Sequence, residues 1–132
     1  MACSLRILVS KRDEITEDEF HRYWSEEHPR VWLNIEIVKR KVVTYSQFHV
    51  DKKSTAVLTD FGVQVGSWDG LVTIAAETFQ DLLSVFGDEE YLRVVVPDEE
   101  KFLKRSTAIM MVGEEKPKKM NGTVLVDIGT KS

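Results

Sequence analysis

The chain has 132 residues, 42% of them hydrophobic and 30% charged, with a formal net charge of −4. That size and balance suit one soluble domain with a real core. The acidic balance argues against nucleic acid or an anionic membrane, because both select clustered Lys and Arg. The two basic clusters, Lys39-Arg40-Lys41 and Lys116 to Lys119, read as solvated edges. Cys3 is the sole cysteine, which excludes an intramolecular disulfide and a thiolate metal site. No stretch has the length of a membrane span, and the start lacks the apolar core and processing site of a signal peptide. The expectation is a reduced, cytoplasmic protein.

In chain order, Leu5 to Ser10 reads as a strand with Leu5, Ile7 and Val9 on one face. A short loop leads to Thr16, which with Glu19 forms a capping box, while Ile15 and Phe20 occupy the positions of a hydrophobic staple. Glu17, Asp18 and Glu19 put negative charge at the positive end of the helix dipole. Phe20, Tyr23, Trp24, His28 and Val31 recur at helical spacing, an aromatic stripe running toward His28. Pro29 disfavours α geometry for His28, so the helix is expected to break there, with a second run carrying Val31, Trp32, Ile35 and Val38.

Lys41 to Val50 alternates as a strand, with Val43, Tyr45, Gln47 and His49 on one face and Thr44, Ser46 and Phe48 on the other. Residues 51–68 are the least readable, a loop with a short helical turn whose length suggests a functional loop or lid. Gly70 to Ala75 is a third strand, followed by a helix from about Glu77 to Phe86 that Gly87 ends. Asp88 to Val95 is a short helix carrying Tyr91 and Leu92, and 97–105 a charged connector anchored by Phe102. Ser106 to Val112 is a fourth strand, 114–121 an exposed linker, and 122–129 one further strand.

The order β-α-β-β-α-β is that of a ferredoxin-like α+β fold. Its helices cover one sheet face only, and the other is apolar here, for example at Ile109 and Met111. Bare apolar area of that kind finds a partner, so the expectation is a homodimer packed sheet to sheet, with the C-terminal strand reaching to the second subunit.

His28 either caps the helix after Pro29 or serves as a neutral imidazole for general acid–base work, since helix amides disfavour the imidazolium. His49 ends the Tyr45/Gln47/His49 row, which lines either a cleft or a solvated edge. His21 reads as a surface histidine, about 10 Å along the helix from His28 and so too far to share a metal ion. No paired-histidine metal motif, glycine-rich phosphate loop or serine elbow is present, so any chemistry is cofactor-free. Most aromatics read as core; Trp24 and Tyr45 stand out because each shares a face with a candidate histidine. Asp69 reads as a cap of the turn before Gly70, with an acid role as the alternative.

Phe20-x-x-Tyr23-Trp24-x-x-x-His28-Pro29 resembles the first-helix signature of EthD-type proteins, small members of the dimeric α/β-barrel (ferredoxin-like) superfamily. Lys11-Arg12 before the helix, Tyr45-x-Gln47-x-His49, Trp68-Asp69-Gly70 and Pro97 to Phe102 follow in the matching order, over roughly residues 4–113. The pattern is most similar to the fungal branch of aromatic polyketide pathways, assigned as decarboxylases or dehydratase/cyclases. The resemblance implies a lyase without metal or cofactor, decarboxylating a β-keto or ortho-hydroxyaryl carboxylic acid. In that reading His28 is the acid–base group, with His49 and Tyr45 polarising the adjacent oxygen. Trp24, Tyr23, Gln47, Phe20, Trp68 and Asp69 would contact the substrate. Cyclisation, dehydration or isomerisation would use the same parts. A cofactor-free monooxygenase and a non-catalytic ligand-binding dimer are the alternatives from other classes. Residues 51–68 and 114–132 depart from the family pattern.

Overall fold

The computed structural model describes residues 2–129. Strand β1 (Cys3–Val9) alternates as its sequence demands, burying Leu5, Ile7 and Val9 on one face. The Thr16 hydroxyl accepts from the Glu19 amide and starts α1 (Glu17–Arg22). A π-helical turn (Tyr23–Glu27) carries the chain directly into α2 (His28–Trp32), and α3 (Glu36–Lys41) follows after a short turn. Phe20, Trp24 and Trp32 from this run are at most 1% exposed. Burying a side chain of that size contributes roughly 1.5–3 kcal/mol, against about 1 kcal/mol for the cap. The aromatic stripe therefore docks the helix, and the cap sets where it begins.

Strand β2 (Val42–His49) pairs with β3 (Gly70–Ala76), β3 with β1, and β1 with β4 (Ile109–Glu114), all antiparallel, in the order β2-β3-β1-β4. That is the ferredoxin-like α+β arrangement, with helices on one face. A register shift between Val42 and Thr44 takes Val43 off the expected face, as a β-bulge does. Val43 is exposed and Val42 packs on the core instead.

Residues 51–68 hold more structure than their pattern suggests. Asp51 accepts from the Lys53 and Ser54 amides and starts α4 (Lys52–Asp60), a nine-residue helix with no buried residue. Helical spacing is unreadable there because no face of α4 is buried. α5 (Phe79–Phe86) begins at Thr78, whose hydroxyl accepts from the Asp81 amide. A second π turn (Tyr91–Val95) leads into α6 (Val96–Glu99), which occupies the start of the expected charged connector, and Phe102 is its buried anchor at 1% exposure. The fourth strand begins at Ile109 rather than Ser106, because Arg105–Thr107 form a 3₁₀ turn. The single C-terminal strand expected over 122–129 is replaced by a small hairpin. In it β5 (Lys119–Met120) pairs with β6 (Thr123–Val124), and Asn121 and Gly122 turn with positive φ of 51° and 82°. Among the described residues, no helix is long and apolar enough to cross a membrane.

Candidate functional site

His28 sits where the expected helix break does not occur. Proline in a helix removes an amide and crowds the carbonyl four residues back. The π turn relieves both problems by bonding one residue further: the His28 amide donates to the Tyr23 carbonyl. His28 keeps helical geometry (φ −59°, ψ −40°) and turns inward, only 3% exposed. The second π turn solves the same problem ahead of Pro97, where the Val96 amide donates to the Tyr91 carbonyl.

The two turns meet through their side chains. His28 Nδ1 lies 2.7 Å from Asp98 Oδ2, and the Tyr23 hydroxyl donates to Asp98 Oδ1 at 2.5 Å. Burial acts to raise the Asp98 carboxyl. The hydrogen bonds from Tyr23 and His28 outweigh burial and hold it below its ordinary range. Asp98 is therefore a carboxylate acceptor, Nδ1 of His28 carries a proton, and Nε2 is the ring atom free for proton exchange. The expected neutralising helix terminus is absent; a buried carboxylate is what faces this ring.

A cavity of about 370 Å³ lies between the inner sheet face (Ile7, Val9, Val72, Ile74) and the helices. Its lining is mostly apolar, including Trp24, Trp32 and Leu103, with polar groups from His28, Tyr45, Tyr91, Glu99, Lys104 and Arg105. Few polar groups in an apolar wall is the usual make-up of a small-molecule pocket. Burial pushes the Tyr45 phenol up to about 12, with the hydrogen bond from Gln47 opposing. Burial, then the charge of Glu99, raises Tyr91 further. Burial also raises the Glu99 carboxyl, against the opposing charges of His28 and Arg105. Arg105 Nε donates to Glu99 Oε1 at 3.0 Å, and Lys104 pairs with Asp13 at 2.7 Å.

His49 does not join His28. Its Nδ1 lies 2.7 Å from Nδ1 of His21, and its ring packs on Trp24 with centroids 4.3 Å apart. Gln47 Nε2 donates to the Trp24 carbonyl (2.7 Å) and to the Tyr45 hydroxyl (2.8 Å), so Gln47 Oε1 must accept from His49 Nε2 (2.8 Å). Burial, then the neighbouring His21, lowers the His49 imidazole and favours its neutral form. With Nε2 protonated, Nδ1 of His49 accepts and His21 donates. His21 is partly exposed, as its sequence position suggests, and is also the partner of His49.

Of the residues singled out from sequence, His28, Tyr45 and Trp24 line the cavity. His49 and Gln47 stand beside it and act on Tyr45 through Gln47. Phe20 is fully buried core, and Tyr23 spends its hydroxyl on Asp98. Asp69 does not line the cavity: it accepts from the Lys11 amide at 2.8 Å and pairs with Lys52 at 3.2 Å, tying the segment after β1 to the start of α4. Trp68 is partly exposed and lies outside the lining. Sequence reasoning missed Asp98, Glu99, Tyr91 and Arg105. An acidic pair just after Pro97 reads as ordinary charge in a first helical turn, and the available signal was its place in the Pro97 to Phe102 element of the family resemblance. Among the described residues, no group of three or more His, Cys, Asp or Glu is disposed to hold a metal ion.

The sequence matches the EthD domain over residues 12–106. No curated protein sequence matches the chain significantly. An ethyl tert-butyl ether D (EthD) family protein from Bacillus halodurans is similar in structure, with TM-score 0.59 and 13% identity, over 88% of this chain and 100% of that one. A dimeric protein of unknown function and ferredoxin-like fold from Bacteroides fragilis also superposes with TM-score 0.59, at 7% identity, over 86% and 96% of the two chains. A dimeric ferredoxin-like protein of unknown function from Thermobifida fusca gives 0.54 at 12% identity, over 86% and 90%. At such identities these likenesses concern the fold.

Proposed function

This chain belongs to the EthD domain family, and on that premise we propose that it is a cofactor-independent lyase of the kind found in aromatic polyketide pathways. The reaction we assign is decarboxylation of a β-keto or ortho-hydroxyaryl carboxylic acid. The observation that carries this reading is the His28–Asp98 pair, buried at 2.7 Å beside an apolar cavity of ring-ligand size.

Loss of carbon dioxide breaks one carbon–carbon bond and leaves its electron pair on the substrate, delocalised to an adjacent oxygen as an enolate. One proton must then reach carbon. His28 Nε2 delivers it, and Asp98 holds the ring through Nδ1 and stabilises the imidazolium that precedes transfer. Tyr45 donates to the developing oxyanion, an interaction stronger in the transition state than in the acid. Trp24 supplies an aromatic wall for the substrate ring. Burial of His28 and Asp98 strengthens the charge interaction between them.

The working unit we propose is a homodimer, in keeping with the dimeric Bacteroides and Thermobifida structures and with the bare outer sheet face. The deciding experiment is product analysis by mass spectrometry with a panel of aromatic polyketide acids. The wild type should release carbon dioxide, His28→Ala should abolish release, and Asp98→Asn should cut the rate by about 10²-fold or more, the scale of losing general acid–base catalysis. Loss of water instead would reassign the chain as a dehydratase or cyclase, and gain of oxygen as an oxygenase. Ligand binding without turnover would leave a binding protein.

A further inference from the structure

Two phenols of the cavity lining, Tyr91 buried and Tyr45 partly buried, have their oxygens engaged and their hydrogens unspent. Gln47 Nε2 donates to the Tyr45 hydroxyl oxygen at 2.8 Å, and Trp32 Nε1 donates to that of Tyr91 at 3.2 Å. Neither O–H finds an acceptor among the described residues. Tyr91 is only 3% exposed, and both residues line the cavity. Buried donors are nearly always paired, and an unmade bond of this kind is expensive. Trp32 organises the pair: its ring stacks on Tyr45 with centroids 4.3 Å apart and planes 19° apart, while its indole N–H holds Tyr91. Each phenol rotor is thus biased so that its hydrogen is left to a ligand.

We infer that Tyr45 and Tyr91 form a two-donor subsite for an acceptor oxygen on a planar ring ligand, with Gln47 and Trp32 as the residues that aim the donors. The ligand class follows from the chemistry. Two O–H groups take a carbonyl, phenolate or enolate oxygen and leave a purely donating group such as an ammonium unpaired. The apolar wall takes the ring. Burial keeps both phenols protonated, so they remain donors through the ordinary pH range. The inference rests on the proposed function only for the premise that a ring ligand occupies this cavity. It adds Tyr91 as a ligand contact, with Trp32 and Gln47 as positioning residues.

Paired titrations of the full-length protein with 2-naphthol and naphthalene, followed by ligand fluorescence, test it. The two probes share the ring and differ by one oxygen. The wild type should prefer 2-naphthol by about tenfold or more, the scale of two net hydrogen bonds. The apparent pKa of bound 2-naphthol should fall, since the donors favour naphtholate. Tyr45→Phe and Tyr91→Phe should each lose part of the preference while keeping the naphthalene affinity, which a loss of packing would not spare. Equal affinity of the wild type for both probes overturns the inference, as does full preference in folded Phe variants. If Tyr91→Phe does not fold, Tyr45→Phe and the wild-type ionisation shift decide alone. Oxygen preference without turnover sinks the lyase reading and leaves the subsite standing. Turnover without oxygen preference does the reverse.

Discussion

At residue scale, the imidazole of His49 is held below its ordinary 6.5 by burial and then by His21, while His21 Nδ1 stands 2.7 Å away. A second proton on this pair would set two N–H groups against each other. Because the folded state resists that proton and the unfolded chain does not, the unfolded state binds more protons as pH falls. The contribution is therefore complete above 6.5 and declines as pH drops from 6.5 through the lower folded value. Asp98 acts in the same direction, but its window opens only near 3.8 and below. Thermal melts should show Tm falling between pH 7 and 5, and His49→Gln should flatten that slope while leaving the decline below pH 4. An unchanged slope in the variant would assign the acid sensitivity elsewhere. His28 and His49 were both visible in the sequence as candidates, yet their partners were not. Asp98 lies 70 positions from His28, and His21 lies 28 from His49, so no local pattern links either pair.

At the scale of elements, the first helix was legible because its determinants are local: the Thr16 cap, the acidic first turn and the aromatic stripe. By its local chemistry Pro29 reads as a stop. The structure shows instead a π turn that absorbs the proline and keeps Trp24, His28 and Trp32 on one continuous wall. The penalty of an internal proline is local, whereas the aromatic burial that outweighs it is tertiary and leaves no local mark in the sequence. Gly70 belongs to the same packing. A Cβ there would run into the indole of Trp24 and lie 2.9 Å from the Phe48 carbonyl oxygen. The indole is 1% exposed and packs against Phe20 and His49. Gly70→Ala should therefore cost about 1–3 kcal/mol, the usual scale of overpacking, seen as a lower urea midpoint. An unchanged midpoint would mean that Trp24 can shift, and with it the cavity wall.

At the scale of the whole molecule, strand register converts alternation into a surface. Phe48 pairs with Leu71, Leu71 with Leu8, and Leu8 with Ile109, so one apolar row crosses all four strands on the outer face. The next row, Ser46, Thr73, Arg6 and Met111, is largely polar, and Arg6 is tied to Glu115 at 2.8 Å. Phe48 is 64% and Ile109 51% exposed, which a lone sheet face does not favour in water. If this face joins two copies, Phe48→Lys should convert a dimer to a monomer in sedimentation velocity while circular dichroism stays native. A dimer that survives Phe48→Lys and Ile109→Lys together would place the interface elsewhere.

Taken alone, the sequence determined the β-α-β-β-α-β order of the core, the start of the first helix, the alternation that builds the inner sheet face, and the family. Each of these depends on neighbours a few residues apart, whose spacing survives in one dimension. Tertiary structure alone decided that His28 faces Asp98, that His49 faces His21, and that Tyr91 and Glu99 enter the cavity with Tyr45. It also decided that residues 52–60 form a helix and that the C-terminal strand shortens to a hairpin. These outcomes follow from which elements pack together and in what register. That packing is set by the burial of large apolar side chains summed over the whole chain, a quantity no short motif contains.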